Sequence, residues 1–331
     1  MTSKDYLKID KAIEIKERKE RILYRALEIF PGALSWSTLF LLVWFSFKKP
    51  IWVAVFVIAF DLYWFFKSIY LSFHLRSAFK KMKQNLKTDW LKKLQKDFPQ
   101  KWEKFYHLII FPTYKEPYYI LKESFQSLLN SDFPKERMIV VLACEKRAGE
   151  SAKEIAQKIK KEFSGKFFKL LITFHPENIE GEVAGKGANE TYAIKVAKEK
   201  IIDKLKIPYE NIIVSSFDAD TRVEKGYFSC LLYHFLKEKD PYHASYQPVP
   251  LFTNNIWEAP GISRIASLSS TFWHLLNQER EERQITFSSH SVPFKPLAEI
   301  GFWQTNVVSE DSRIFWNLFL ANNGRWRVVS L

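Results

Sequence analysis

This chain predicts an α/β domain with a mostly parallel sheet flanked by helices (Rossmann-like), preceded by an N-terminal transmembrane helical hairpin. Three observations carry that prediction. Two long apolar runs stand close together before residue 75. From His107 onward, short apolar runs of strand length alternate with amphipathic stretches of helical length. Residues able to do chemistry cluster at the ends of the short runs, where open parallel sheets bind their ligands.

The first apolar run, Ile29 to Phe47, is 19 residues without a charge. As a helix it is about 28 Å long, near the roughly 30 Å thickness of bilayer hydrocarbon. Lys48-Lys-Pro50 makes a tight turn, and Ile51 to Phe66 is then apolar apart from Asp61. An ion facing lipid is costly, so Asp61 should face a helix partner or lie near the interface. The segment 1–28 alternates charges with apolar residues and has no membrane-length run, which predicts a helix at or below the membrane surface. It is too charged for a signal peptide.

Between Arg76 and Lys104 ten Lys or Arg stand against three acids, a juxtamembrane surplus that an anionic leaflet attracts. The net charge of +13 is therefore read as a membrane-surface property. No nucleic-acid-binding motif accompanies it, and no nucleic-acid partner is expected. Both flanks of the apolar pair are more basic than the turn between them, which places the N-terminus and everything after residue 75 in the cytoplasm. The expected organisation is 1–28 a cytoplasmic N-terminal helix, 29–74 two transmembrane helices, 75–104 a basic juxtamembrane helix, and 105–331 the α/β domain. Aromatics make up 16% of the chain, with much of the excess between Phe30 and Phe73. Cys144 and Cys230 form no C-x-x-C pair and read as buried, reduced thiols.

Within 105–331 the expected strands are Leu108–Phe111, Met138–Ala143, Lys169–Phe174 and Ile212–Phe217. The helical stretches between them are Tyr119–Asn130, Ser151–Phe163 and Gly187–Leu205. Five groups of residues fall at strand ends or helix starts. Asp218-Ala-Asp220 follows the fourth run, and two carboxylates one residue apart can share a divalent cation, Mg²⁺ or Mn²⁺; a solvated turn is the plain alternative. After the first run, Pro112-Thr113-Tyr-Lys-Glu116 offers a backbone edge and a carboxylate to a base or ribose, although Glu116 equally suits the dipole of the following helix. Glu145 closes the second run and can accept from a base N–H, or serve as a surface acid beside Lys146 and Arg147.

Gly185-Lys186-Gly-Ala-Asn189 opens a helix without the Walker order, and a lysine at a helix N-terminus suits a phosphate or ribose; a flexible loop is the other reading. Ser309-Glu-Asp-Ser-Arg313 starts a helix, with Ser309 as N-cap and Glu310 and Asp311 complementing the dipole. In the functional reading Asp311 is a general base that takes a proton from an acceptor hydroxyl. Trp257, Trp273, Trp303 and the segment Thr286–Pro293 are candidates for lining a sugar channel, against the commoner use of aromatics in a core. His243, His274 and His290 have no ligand spacing and read as ordinary.

Together, Pro-Thr-Tyr-Lys-Glu116, Asp218-Ala-Asp220 and Ser-Glu-Asp311 resemble the signature set of inverting, membrane-bound family 2 glycosyltransferases of GT-A fold, the group of the cellulose and hyaluronan synthases. The resemblance covers about residues 105–331. It implies a nucleotide-sugar donor, a UDP-sugar, with uridine near Pro112, Thr113, Glu116 and Glu145, Lys186 close to the donor, and Asp218 by the ribose and diphosphate. Asp218 and Asp220 would hold the Mg²⁺ or Mn²⁺, and Asp311 would be the catalytic base acting on a saccharide or lipid-linked acceptor. It also implies an integral protein of a bacterial or archaeal plasma membrane, in contact with lipids.

Processive members carry Gln-x-x-Arg-Trp well after the catalytic Asp. Asn322-Asn-Gly-Arg325-Trp326 departs from it in its first residue and lies close to Asp311, so it reads as the loop and strand Gly324–Leu331. The family continues with interface helices and further spans, so an incomplete C-terminal end is expected. A catalytically weak nucleotide-sugar-binding membrane protein and a nucleotidyltransferase are the other classes compatible with these residues.

Overall fold

The computed structural model describes residues 5–254 and 256–331 and divides into two compact units, Met1–Ser77 and Ala78–Leu331. The first begins with two 3₁₀ turns, Asp5–Lys8 and Ala12–Glu14. Helix α1 then runs Arg18–Lys48, so the charged stretch before residue 29 and the first apolar run share one helix. Pro31 sits inside it without ending it. Lys49 leaves the helix, and α2, Pro50–Lys87, restarts on a proline whose missing N–H costs nothing at a first helical position. The basic residues that follow the second apolar run extend α2 into the second unit.

No residue of α1 is buried, and Asp61 on α2 is exposed. The hydroxyls of Ser35, Thr38, Ser46, Ser68 and Ser72 each donate to the carbonyl four residues back. Such back-bonding satisfies polar groups within the helix, as an apolar surrounding requires. Both helices are long and apolar enough to cross a membrane.

The second unit opens with α3, Trp90–Asp97, capped by the Asp89 carboxylate, which accepts from the Lys92 N–H. Strands and helices then follow: β1 Tyr106–Thr113, α4 Tyr118–Asn130, β2 Met138–Glu145, α5 Glu150–Phe163 and β3 Lys169–His175. Next come α6 Lys186–Ala197, extended by a π-helical segment to Asp203, β4 Ile212–Ser216 and α7 Tyr227–Lys237. The chain closes with β5 Ala244–Gln247, α8 Gly261–Asn277, β6 Ser291–Pro293, α9 Phe294–Glu299, α10 Glu310–Ala321 and β7 Arg327–Ser330. Among the described residues these strands form one sheet in the order β3-β2-β1-β4-β6-β5-β7. It is parallel except for β6, which runs antiparallel to β4 and β5. The α/β architecture expected of the sequence, a mostly parallel sheet flanked by helices behind two long apolar helices, is the one observed.

The strands read as continuous apolar runs because both faces are covered. Ile109 and Phe111 of β1 pack with Val140 and Leu142 of β2 against α4, α5 and α7. Leu108 and Ile110 pack with Ile139 and Val141 on the opposite face, against α6, α9 and α10. Fully burying each such side chain stabilises the fold by roughly 1.5–3 kcal/mol. Cys144 and Cys230 lie free in this core, where burial pushes both thiols up to about 12. At the far edge, the Trp326 indole donates to Ser245 Oγ at 2.9 Å, and Gly324 turns the chain with φ 78°. Asn322–Trp326 is thus the loop and strand entry that its sequence suggested.

The topology fixes where a ligand can enter. From β1 the chain winds outward through β2 to β3, then returns to place β4 on the other side of β1. The order reverses between β1 and β4, and crevices form beyond the carboxyl ends of strands at such a switch. Those two ends carry Pro112–Glu116 and Asp218–Asp220.

Candidate functional site

Beyond β4, four carboxylates gather around one lysine, brought there by α6, α10 and the loop after β4. Lys186, the first residue of α6, places its Nζ 2.8 Å from Asp218 Oδ1 and 2.8 and 3.0 Å from the two carboxylate oxygens of Asp311. Glu190 and Glu310 lie at 3.9 and 4.0 Å from the same ammonium. Asp311 stands in the first turn of α10, and Ser309 occupies the N-cap position without a side-chain cap bond. The close approach of α10 to α6 depends on Gly187: a Cβ there would meet Glu310 Cβ at 2.9 Å and the Gln304 carbonyl at 3.1 Å.

One lysine among these acids leaves a surplus of negative charge. Burial lowers the proton affinity of Lys186, but the charges of Glu190, Asp311 and Asp218 outweigh it and hold the ammonium well above its ordinary value. Glu190 is wholly buried, which raises its carboxyl well above the normal range; Ser216 donates to it at 2.6 Å. Partial burial pushes Asp218 up, yet Lys186 and the Ser288 hydroxyl reverse this and hold it below the ordinary value. The surrounding protein, and then the charge of Asp218, push Asp220 upward.

Burial and the neighbouring Asp311 push Glu310 up to about 6. A carboxyl raised in the folded state stabilises fully below its unfolded value, and that contribution is lost as pH rises through the folded one. The window here runs from about 4.5 to about 6. Glu310→Gln should therefore match the wild type at pH 4 and be more stable by about 2 kcal/mol at pH 7. Thermal denaturation across that range checks it; a difference that does not vary with pH would contradict it.

Among the described residues no group of three or more His, Cys, Asp or Glu is arranged to hold a metal. The chemistry of the smaller set still fits a hard divalent cation. Asp218 and Asp220 offer only carboxylate oxygens, and their mutual repulsion is what such an ion relieves. Asp220 is exposed, and its backbone carbonyl accepts from Asn254 at 2.8 Å.

Beyond β1 and β2 lies a cavity of about 270 Å³, lined by Thr113, Glu116, Leu142, Cys144, Ser151 and Ile155 among others. Glu116 Oε2 accepts from Thr113 Oγ1 at 2.7 Å and from the N–H groups of Tyr114 and Lys115 at 2.7 and 3.1 Å. The loop after β1 is thereby folded around this carboxylate. Pro112 is buried within β1, paired with Ala143. Glu145 does not line the cavity: it is buried and bonded to Arg147, whose guanidinium stacks on Tyr114.

Other expected residues take different places. Trp303 is 2% exposed and packs in the core beneath α10, so it offers no stacking face. Trp257 is 80% exposed and Trp273 about half. His290, which its spacing marked as ordinary, is wholly buried with Nδ1 3.4 Å from Asp311 Oδ1. Glu190 also went unnoticed, because an acid inside a helix reads as solvated until the fold buries it. The sequence offered the segment Thr286–Pro293, which contains His290, only as a candidate channel lining.

No protein-family profile matches the chain, and no curated protein matches it. Among solved structures, it is similar to the mannosyltransferase PcManGT from Pyrobaculum calidifontis, in complex with GDP-Man and Mn²⁺. The identity is 14%, with 79% of this chain and 66% of that one covered and a TM-score of 0.46. It is also similar to residues 1–349 of S. aureus TarS in complex with UDP-GlcNAc, at 16% identity, 69% and 56% coverage and a TM-score of 0.41. The chain spans less than two thirds of the length of either structure.

Proposed function

We propose that this protein is a membrane-anchored glycosyltransferase of the inverting, family 2-like type, using a nucleotide-sugar, a UDP-sugar, at the cytoplasmic face. The observation that carries the reading is the meeting of Asp218 and Asp311 on the single ammonium of Lys186, at the switch point of the sheet. In this reading Asp218 serves the donor and Asp311 the acceptor, and the ammonium that both contact keeps them within one side chain's reach of each other.

The nucleoside would enter the cavity beside Thr113 and Glu116, where apolar walls suit a base and a carboxylate suits its N–H. Lys186 would turn from Asp311 to the diphosphate. Asp311 would then accept the proton of the acceptor hydroxyl as its oxygen attacks the anomeric carbon. The bond from that carbon to the diphosphate oxygen breaks, and its electron pair leaves with the nucleoside diphosphate. Attack from the face opposite the leaving group inverts the anomeric centre. Asp218 and Asp220 would hold Mg²⁺ or Mn²⁺, which when bound neutralises charge growing on the leaving diphosphate.

The acceptor is read as a saccharide or lipid-linked sugar, since the apolar helices would keep the domain at a bilayer whose basic flanks face the cytoplasm. The test is nucleoside diphosphate release from UDP-GlcNAc, UDP-glucose and GDP-mannose with Mn²⁺. Asp220→Asn should lower release by about 100-fold or more. Pyrophosphate as the product would instead make the protein a nucleotidyltransferase, and tight binding without turnover would make it a binder.

A further inference from the structure

The segment before β6 touches both sides of the site through consecutive side chains. Thr286 Oγ1 donates to the Asp311 carbonyl at 2.6 Å. Ser288 donates to Asp218 Oδ2, and Ser289 Oγ lies 3.0 Å from Thr221 Oγ1. His290 Nδ1 lies 3.0 Å from the Phe287 carbonyl and 3.4 Å from Asp311 Oδ1. The segment is itself anchored: Gln247, buried at the end of β5, accepts from the Phe287 N–H at 2.8 Å and donates to the Ser288 carbonyl at 3.1 Å.

Ser289 takes a left-handed conformation, φ 63°. A non-glycine residue persists there only where its surroundings over-determine it. The twist lets Ser288 and His290, two residues apart, serve different carboxylates.

The His290 ring has one protonation pattern that fits its partners. Nδ1 faces two acceptors, a carbonyl and a carboxylate, so it carries the proton. Burial lowers the proton affinity of the ring and favours this neutral form. The Nδ1–H bonds the Phe287 carbonyl, and its 3.4 Å approach to Asp311 Oδ1 adds an electrostatic contact that favours one rotation of that carboxylate; a base must be held to within fractions of an ångström of its proton.

We infer that Thr286–His290 is a positioning strap, in which Thr286 and His290 orient Asp311 for proton abstraction while Ser288 orients Asp218 toward the donor. The inference rests on the reading of Asp311 as the base. Removing either half should therefore move a different kinetic constant. His290→Leu should lower kcat for nucleoside diphosphate release about 10- to 100-fold with the donor KM unchanged. His290→Asn, whose amide N–H can take the place of Nδ1–H, should restore most of that loss. Ser288→Ala should instead raise the donor KM.

The assays use the full chain in detergent, with UDP-GlcNAc, UDP-glucose or GDP-mannose and Mn²⁺. Equal losses in His290→Leu and His290→Asn would reduce His290 to packing and overturn the inference, as would an unchanged kcat in His290→Leu. Should His290→Leu not fold, Thr286→Val keeps the shape, and an unchanged kcat there overturns the inference as well. A donor-free arm is imidazole ¹⁵N NMR: His290 should show the Nδ1–H tautomer, with a signal that moves in Asp311→Asn; a protonated Nε2 would overturn the assignment. Full turnover in Asp311→Asn would place the failure in the assignment of the base and not in the strap.

Discussion

Asp311→Asn should abolish transfer while leaving the donor bound. Asparagine keeps the size of the side chain and an oxygen for Lys186 but cannot take a proton, so the loss should be about 10²–10⁴-fold in kcat. Donor affinity, measured by titration of UDP-GlcNAc, UDP-glucose or GDP-mannose against the detergent-solubilised chain, should stay within about threefold, because in the proposed reading Asp311 serves the acceptor. Lost binding with undiminished residual turnover would refute the role. The alternative use of Asp311, as a first-turn acid complementing the dipole of α10, would cost less than about 1 kcal/mol of stability and leave kcat intact.

The second large effect is expected at Lys186. Lys186→Met strips the compensating charge from Asp218 and Asp311, which Lys186 holds at 2.8 Å. Breaking a buried ion pair from one side costs about 3–5 kcal/mol. The partial exposure of Asp218, 44%, places the expectation near the lower end, about 3 kcal/mol. For a domain of this size that is a fall in Tm of about 6–12 °C. Lys186→Arg should recover much of it.

The pH dependence follows from the sign of the Asp218 shift. Its carboxyl is held below the ordinary value in the fold, so the stabilisation is present above the unfolded value, about 4, and disappears as pH falls through the folded one. The gap between wild type and Lys186→Met should therefore close under acid. Melting temperatures across the acid range decide it, and a gap that does not shrink as pH falls would mean that the methionine acts through packing.

The parts of the fold legible in the sequence are those whose local pattern and tertiary role coincide. Strands β1 to β4 are continuous apolar runs because both faces are buried, and α4, α5 and α6 follow from periodicity. The far half of the sheet hides, because Ala244-Ser-Tyr-Gln247 and Ser291-Val-Pro293 are short and polar. They are strands only because β4 offers an edge for β6 to join. At the site, Lys186, Asp218 and Asp311 each stood out as a residue at a helix start or strand end. Their meeting did not: Lys186 and Asp311 are 125 residues apart, and no pattern of local spacing encodes that. His290 and Glu190 were illegible because burial alone distinguishes them from common surface residues.

The separation of those partners along the chain also sets an order of events during synthesis. Lys186 leaves the ribosome first, Asp218 follows 32 residues later, and Asp311 comes last. A nascent domain holding only the first two has one ion pair and lacks its third partner. Contacts this distant in sequence form late, after the nearer ones have compacted the chain. In that order the three-way contact of Lys186, Asp218 and Asp311 waits until the α10 end of the sheet is in place.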